Sequence, residues 1–312
     1  MTPRFHLGAG SKGVLFGPLL VGLAYGLAQH LVREGNWEFL YWQSPFVFTV
    51  LSGVAIAFAC RPVLARIAWS RGAAASVAVG LLLGAGQMGD WLAASLTVAA
   101  GLGSFPINLP ESGLSLFLAA GVAGTLMALL FRPPGGAIDA RDLWARLRYR
   151  SWRTVLVRLV LLAAATVVLW LGIAWADAYL EESATTLYVL LVEPNPWQRL
   201  GGLWLPGGTH SRWVGATLFL AILWLRAALA IAPLIPVALA IRGSWGQLTL
   251  VFAVLLFVLG EFAPIMVDQP YASLNWLLTR TLLGLARACV LGGAAAALFG
   301  LIRESGAPRQ EA

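Results

Sequence analysis

The run LFVLGEFAPIMVDQPY, residues 256–271, places the carboxylate of Glu261 inside an almost continuously apolar segment. An unpaired charge in hydrocarbon costs free energy, so this carboxylate needs a partner from another part of the chain. The rest of the chain is equally apolar: of its 312 residues, 59% are hydrophobic and 11% are charged, with a mean hydropathy of +0.80. A soluble domain carries roughly 25% charged residues. The composition therefore predicts an all-α polytopic membrane protein.

Eight apolar runs approach or exceed the length of about 20 residues with which a helix crosses a bilayer. They are residues 14–32, 45–60, 73–100, 113–131, 154–176, 214–241, 247–268 and 274–302. Eight crossings put 14 Lys and Arg residues on one side of the membrane and 3 on the other. Because Lys and Arg concentrate in cytoplasmic loops, this bias predicts that both termini are cytoplasmic. It also accounts for the net charge of +7 without a nucleic-acid partner.

Two connections between the predicted crossings carry signals of their own. The cytoplasmic segment 135–153 is rich in Arg. It fits either an interfacial helix on anionic lipid headgroups or an ordinary basic loop. The external loop 177–213 is rich in Pro, Gly and Trp and predicts an ordered flap on the membrane surface. Such a flap is one place where a membrane-protein partner could dock.

An internal repeat relates residues 1–134 to residues 154–312 at a shift of 171 positions. Four features match: Pro62 with Pro233, Arg71 with Arg242, Asp90 with Glu261, and Arg132 with Arg303. Four helices in each unit keep both units in the same orientation in the membrane. The sequence therefore predicts two parallel four-helix repeats related by an axis along the membrane normal, with the external loop as an addition to the second.

Charged and amide side chains at membrane depth form the candidate site. They are Arg226, Arg280, Arg287, Glu261, Asp90 and Gln87. A charge at a helix centre costs roughly 2.5–3.5 kcal/mol on insertion scales, so these groups should face protein or water. We expect Glu261 to pair with Arg280, and Asp90 to pair with Arg226 or Arg287.

Two interpretations of this cluster stay open. The charges either tie the helices together and fix their packing, or hold an anion such as a carboxylate, a phosphate or a lipid headgroup. At the shift of 171, the three arginines fall on Ala55, Leu109 and Leu116. The positive charges therefore belong to the second half alone, which favours an asymmetric binding site.

Catalytic motifs are absent from the sequence. Its three histidines and two cysteines have no metal-ligand spacing, and neither a Walker motif nor an HExxH motif occurs. We therefore predict no catalytic residues, no metal and no cofactor.

The pattern RG…G…AP…PY…R…G in the second half is similar to uncharacterised multi-pass bacterial membrane proteins. The resemblance implies a similar fold and carries no activity with it. We predict a multi-pass protein of the bacterial inner membrane.

Three functions compete on these observations. The first is a transport-like or anion- or lipid-binding integral membrane protein that uses the arginine cluster. The second is a non-catalytic membrane subunit that assembles with or anchors a larger complex. The third, an enzyme acting on a lipid-linked substrate, is disfavoured because no nucleophile or acid–base pair is arranged for it.

Overall fold

The structure is a computed structural model that describes residues 11–33, 45–65, 70–86, 91–92, 95–96, 109–131, 152–180, 212–240, 244–268 and 274–304. Within these ranges every regular element is helical, which confirms the predicted all-helical fold. Five stretches are long and apolar enough to cross a membrane: Phe46–Leu64, Gly113–Phe131, Leu220–Ala238, Trp245–Val267 and Leu277–Phe299. The count of eight crossings and the repeat stay predictions.

Ten α-helices, together with helical residues at 91–92 and 95–96, make up the fold of the described ranges. They are α1 (Ser11–Arg33), α2 (Pro45–Leu64), α3 (Arg71–Gly84), α4 (Leu109–Phe131), α5 (Trp152–Leu180), α6 (Arg212–Ile231), α7 (Leu234–Ala240), α8 (Trp245–Phe257), α9 (Ala263–Asp268) and α10 (Leu274–Glu304). A single π-helical turn, Val258–Phe262, joins α8 to α9 and is called the π turn. Residues 135–151 and 181–211 of the two predicted connections lie outside the described residues.

Serine side chains begin two of these helices. The hydroxyl of Ser70 accepts a hydrogen bond from the Ala73 backbone N–H at 3.3 Å, and α3 starts there. Ser244 and Gln247 form a reciprocal capping box at the start of α8. Both serines satisfy backbone donors that the first turn of a helix leaves without partners.

The third predicted crossing, 73–100, is interrupted. Its helix α3 ends at Gly84, and Ala85 and Gly86 form a turn. The apolar composition continues past this point, but two glycines in three residues lower the helix propensity by about 1 kcal/mol each relative to alanine. The helix therefore stops short of the length that the apolar run predicts.

A second interruption separates α6 from α7 at Pro233. Proline has no backbone N–H, and its ring clashes with the carbonyl four residues earlier in a regular helix. The chain turns at Ala232–Pro233, and the N–H of Ile235 donates to the carbonyl of Ala232 at 3.1 Å. The predicted run 214–241 is thus two helices in the structure.

Glycines bring neighbouring antiparallel helices into close contact. A Cβ on Gly22 of α1 would lie 2.7 Å from the carbonyl oxygen of Val50 on α2. A Cβ on Gly292 of α10 would lie 2.6 Å from the backbone nitrogen of Ala253 on α8. Small residues allow this approach, and dispersion contacts between close backbones replace the hydrophobic effect, which is weak between helices in lipid.

The packed helices enclose two apolar clusters: a large one that draws on most of the helices, and a small one of Ala163, Val167, Ala227 and Ala228 between α5 and α6. Helix α1 packs on α2 and α4, α3 on α4, α8 on α10, and α5 on both α6 and α10. Large side chains point outward as well: Phe16 is 66% exposed, Val168 is 69% exposed and Leu282 is 64% exposed. A helix that is apolar on all faces is typical of membrane-spanning segments.

The contact between α8 and α10 yields the first prediction. Gly292→Ala should lower the free energy of unfolding by about 1–2 kcal/mol, because the new methyl group overlaps backbone atoms of Ala253, which cannot rotate away. Thermal unfolding in a mild detergent would measure the loss. Gly293→Ala is the matched control: its Cβ would meet only the Thr249 methyl group at 3.9 Å, so stability should hold or rise. Equal effects of the two substitutions would contradict this packing.

Candidate ligand-binding site

Glu261 lies on the π turn, where the helix takes one extra residue. The N–H of Ala263 donates to the carbonyl of Val258, five residues earlier. Pro264 follows directly and has no N–H to donate to the carbonyl of Gly260, and in a regular helix its ring would press against that carbonyl. A wider turn relieves this contact, so the sequence GEFAP explains why the helix is irregular here. Such π-helical turns are frequent at functional sites.

The carboxylate of Glu261 forms an ion pair with Arg287 on α10. Both side chains are largely buried, with 18% of Glu261 and 13% of Arg287 exposed. Gly284 makes this pairing possible, since a Cβ there would lie 3.0 Å from both Cβ and Cγ of Glu261. The glutamate side chain therefore crosses α10 over a glycine and meets a guanidinium one turn further along.

The sequence predicted Arg280 as the partner of Glu261 and assigned Arg287 to Asp90 as one of two alternatives. The ion pair in the structure joins Glu261 to Arg287. The direction of helix side chains explains this choice, because they lean toward the N-terminus of their helix. The side chain of Arg287 therefore covers the helix surface beside Gly284, where the side chain of Glu261 contacts α10.

A cavity of about 40 Å³ opens beside this ion pair and is named the arginine cavity. The polar side chains in its lining are Thr166, Arg226, Glu261 and Arg287, and its remaining lining residues are Gly84, Ala85, Gly86, Ala230, Ile231, Leu256, Gly260, Ala288 and Leu291. A water molecule needs roughly 10–15 Å³ when volume is measured by probe centres. The arginine cavity thus has room for a small ion together with water.

The arginine cavity lies where the interrupted helices meet. The end of α3 supplies Gly84–Gly86 and the π turn supplies Gly260 and Glu261. Their backbones approach closely, since a Cβ on Gly260 would lie 3.2 Å from the carbonyl oxygen of Ala85. The end of α3 also touches the break after α6, where a Cβ on Gly84 would lie 2.4 Å from the ring of Pro233.

The described lining of the arginine cavity carries a net positive charge. Arg226 and Arg287 contribute two guanidinium groups, and Glu261 contributes one carboxylate. Thr166 is buried, and its hydroxyl donates to the carbonyl of Leu162 at 2.7 Å, so its oxygen presents lone pairs rather than its proton. Guanidinium groups that line a cavity favour an anionic ligand over a cation.

The structure brings together three of the six predicted site residues, Arg226, Glu261 and Arg287. Arg280 lies on α10 two turns before Arg287 and does not line the arginine cavity. Gln87 and Asp90 lie outside the described residues. Sequence reasoning missed Thr166 and the glycines of the lining; the Gly-Ala-Gly run at 84–86 was the available signal for an interrupted helix.

Comparison with family models, curated proteins and solved structures gives no match for this chain. A function for the chain therefore has to be argued from its own residues and their geometry.

A double-mutant cycle tests the ion pair. Glu261→Gln and Arg287→Met should each lower the free energy of unfolding by about 3 kcal/mol, because each leaves a largely buried charge without its partner. The double variant should lose less than the sum of the two, with a coupling of about 1–2 kcal/mol. Unfolding in mild detergent by heat or SDS would give these values.

The matched control for the cycle is Arg158, whose guanidinium donates to the carbonyl of Leu298 at 2.7 Å, away from Glu261. A cycle of Glu261→Gln with Arg158→Met should be additive within about 0.5 kcal/mol. Additive behaviour of Glu261 with Arg287 would rule the ion pair out as a contributor to stability. The same cycle with Arg280→Met tests the pairing that the sequence predicted.

Proposed function

We propose that the chain is a transport-like integral membrane protein that binds a small inorganic anion in the arginine cavity. The observation that carries this proposal is the place of the cavity, between two interrupted helices and beside two arginines. Ligand sites of many transporters lie near the bilayer midplane, at helices broken in corresponding positions of two repeats. At the predicted shift of 171, the π turn falls on residues 87–91, directly after the turn at Ala85–Gly86 that ends α3.

The depth of the arginines supports a free anion over a lipid headgroup. Arg226 lies on α6, six residues or about 9 Å along the helix axis from Leu220, where the apolar span Leu220–Ala238 begins. This depth places its backbone well inside a bilayer, whereas phosphate headgroups lie at the surface. A small anion such as chloride or nitrate also fits a cavity of about 40 Å³.

The proposal includes the finer features of the architecture. The chain crosses a bacterial inner membrane eight times, as two parallel four-helix repeats with both termini in the cytoplasm. Packing in the two halves supports the repeat: Gly113 of α4 faces Trp91, and its counterpart Gly284 of α10 faces Glu261, the neighbour of Phe262, onto which Trp91 falls at the shift of 171. We propose no enzymatic activity for the chain.

Anion binding should appear as stabilisation of the purified protein. In neutral detergent, sodium chloride or nitrate should raise the melting temperature above that in sodium gluconate of equal ionic strength. A ligand at one hundred times its Kd adds about 2.7 kcal/mol to stability. Arg226→Gln should abolish this difference because it removes a cavity guanidinium. Arg158→Gln should retain it, since Arg158 is outside the cavity lining.

Three other results would contradict the proposal that the ligand is a free anion in the arginine cavity. An unchanged anion effect in Arg226→Gln would remove the arginine cavity as the site. Stabilisation by phosphatidylglycerol but not by free anions would identify a lipid headgroup as the ligand. A stoichiometric membrane protein that co-purifies, identified by mass spectrometry with no anion effect, would favour the alternative of a non-catalytic subunit.

The orientation is tested separately with reporter fusions. Green fluorescent protein fused after residue 150 or 312 should fluoresce, and alkaline phosphatase fused after residue 195 should be active. The reason is the excess of 14 over 3 Lys and Arg residues on the predicted cytoplasmic side. Active phosphatase after residue 150 would contradict the predicted topology.

A further inference from the structure

A second cavity lies directly beside the arginine cavity. Its volume is about 20 Å³, enough for one water molecule, and we call it the tyrosine cavity. Its lining residues are Tyr25, Ile56, Leu82, Leu83, Gly86, Leu116, Ala120, Leu259, Ala263 and Pro264. Gly86 belongs to both linings. The two cavities are therefore neighbours on opposite sides of one short stretch of backbone.

The partition between the cavities consists of backbone from two interrupted helices. Leu259 lines the tyrosine cavity, and the next residue, Gly260, lines the arginine cavity. On the other side of the partition, a Cβ on Gly86 would lie 3.9 Å from the carbonyl oxygen of Leu259. Glycines at 86 and 260 put no side chain into this gap.

The partition is also a weak part of the helix. Pro264 cannot donate a hydrogen bond to the carbonyl of Gly260, so the π turn lacks one bond of a regular helix. Irregular backbone at membrane depth is tolerated where it is buried in protein or lines a water-filled cavity.

Polar groups continue from the tyrosine cavity toward the C-terminal end of α1. The amide of Gln29 donates to the hydroxyl of Tyr25 at 2.8 Å, and both side chains are buried. The carbonyl oxygen of the Gln29 side chain is buried and accepts no hydrogen bond within the described part of the chain. A buried amide oxygen in that state is a position where water is expected. Gln29 lies one turn beyond Tyr25, near the end of α1 at Arg33.

We propose that the tyrosine cavity and the Tyr25–Gln29 pair form the access route by which a small anion reaches the arginine cavity. The route runs from the end of the bundle where α1 ends, past Gln29 and Tyr25, to the partition at Gly86 and Gly260. The π turn moves to admit the ion. This inference rests on the proposed function, because it concerns the path to the same anion site.

Cysteine accessibility tests the route in the full-length protein. Cys60→Ala and Cys289→Ala provide a background without native thiols. Leu116→Cys then reports on the tyrosine cavity, and Met127→Cys is its matched control. Both positions are buried on the same face of α4, three turns apart, and Met127 lines neither cavity. The anionic reagent sulfonatoethyl methanethiosulfonate should label Leu116→Cys at least roughly tenfold faster than Met127→Cys, because the route opens to water.

A variant that fills the tyrosine cavity tests whether this route leads to the arginine cavity. Ala230→Cys reports on the arginine cavity, and Ala120→Phe fills the tyrosine cavity. Adding Ala120→Phe should slow labelling of Ala230→Cys by roughly tenfold, because the phenyl ring fills the tyrosine cavity and keeps the reagent from reaching residue 230. Leu118→Phe, on the exposed side of the same helix, should leave the rate unchanged. If Ala120→Phe lowers the melting temperature sharply, Ala120→Leu takes its place.

The results separate the route from the proposed function. Labelling of Leu116→Cys as slow as that of Met127→Cys, or an unblocked Ala230→Cys, overturns the route even if wild-type protein shows the chloride effect. If the melting temperature of the wild-type protein does not depend on the anion, the proposed function is wrong. In that case the route does not carry an anion, even if Leu116→Cys is labelled. Fast labelling, blocking and the chloride effect together support the proposal.

Discussion

The ion pair between Glu261 and Arg287 is the constraint on which the second half of the structure depends. Each charge alone would be costly at membrane depth, and their contact requires the backbones of α8 and α10 to lie close together. Gly284 and Gly292 supply that closeness, and the π turn aims the carboxylate at α10. Helix packing and charge neutralisation are therefore consequences of the same few residues.

Three backbone irregularities gather around this pair. Helix α3 ends at Gly84, α6 ends before Pro233, and the π turn interrupts the second half of its segment. Each leaves backbone groups that lipid cannot satisfy, so all three must face protein or an internal cavity. Their shared position explains why a cavity exists here. It also explains why the lining contains glycine backbone and arginine side chains in addition to apolar side chains.

Much of the helical fold could be predicted from the sequence, because a segment that crosses a bilayer must be apolar over its whole length. The predicted run 274–302 and the helix Leu274–Glu304 agree within two residues. The end of α3 at Gly84 escaped prediction, since hydropathy counts apolar side chains and gives no weight to backbone stiffness. Pro233 was noted as a repeat match rather than as a break.

The candidate site could be predicted only in part. Depth along the helices put the six predicted side chains into one cluster, in which Glu261 was expected to pair with Arg280. Depth alone could not choose between Arg280 and Arg287. That choice depends on the lean of helix side chains and on the close approach of Glu261 to α10 at Gly284, neither of which hydropathy reports.

The order of the charges along the chain bears on how the protein enters a membrane. Glu261 and Arg287 belong to the consecutive apolar segments Trp245–Val267 and Leu277–Phe299, which pack against each other. These segments form one helical hairpin, so the two opposite charges meet as soon as the hairpin closes. Inserted separately, each charge would cost roughly 2.5–3.5 kcal/mol; inserted as a hairpin, the pair enters lipid already neutralised. The same contact that shapes the cavity thus eases the biogenesis of the segment that contains it.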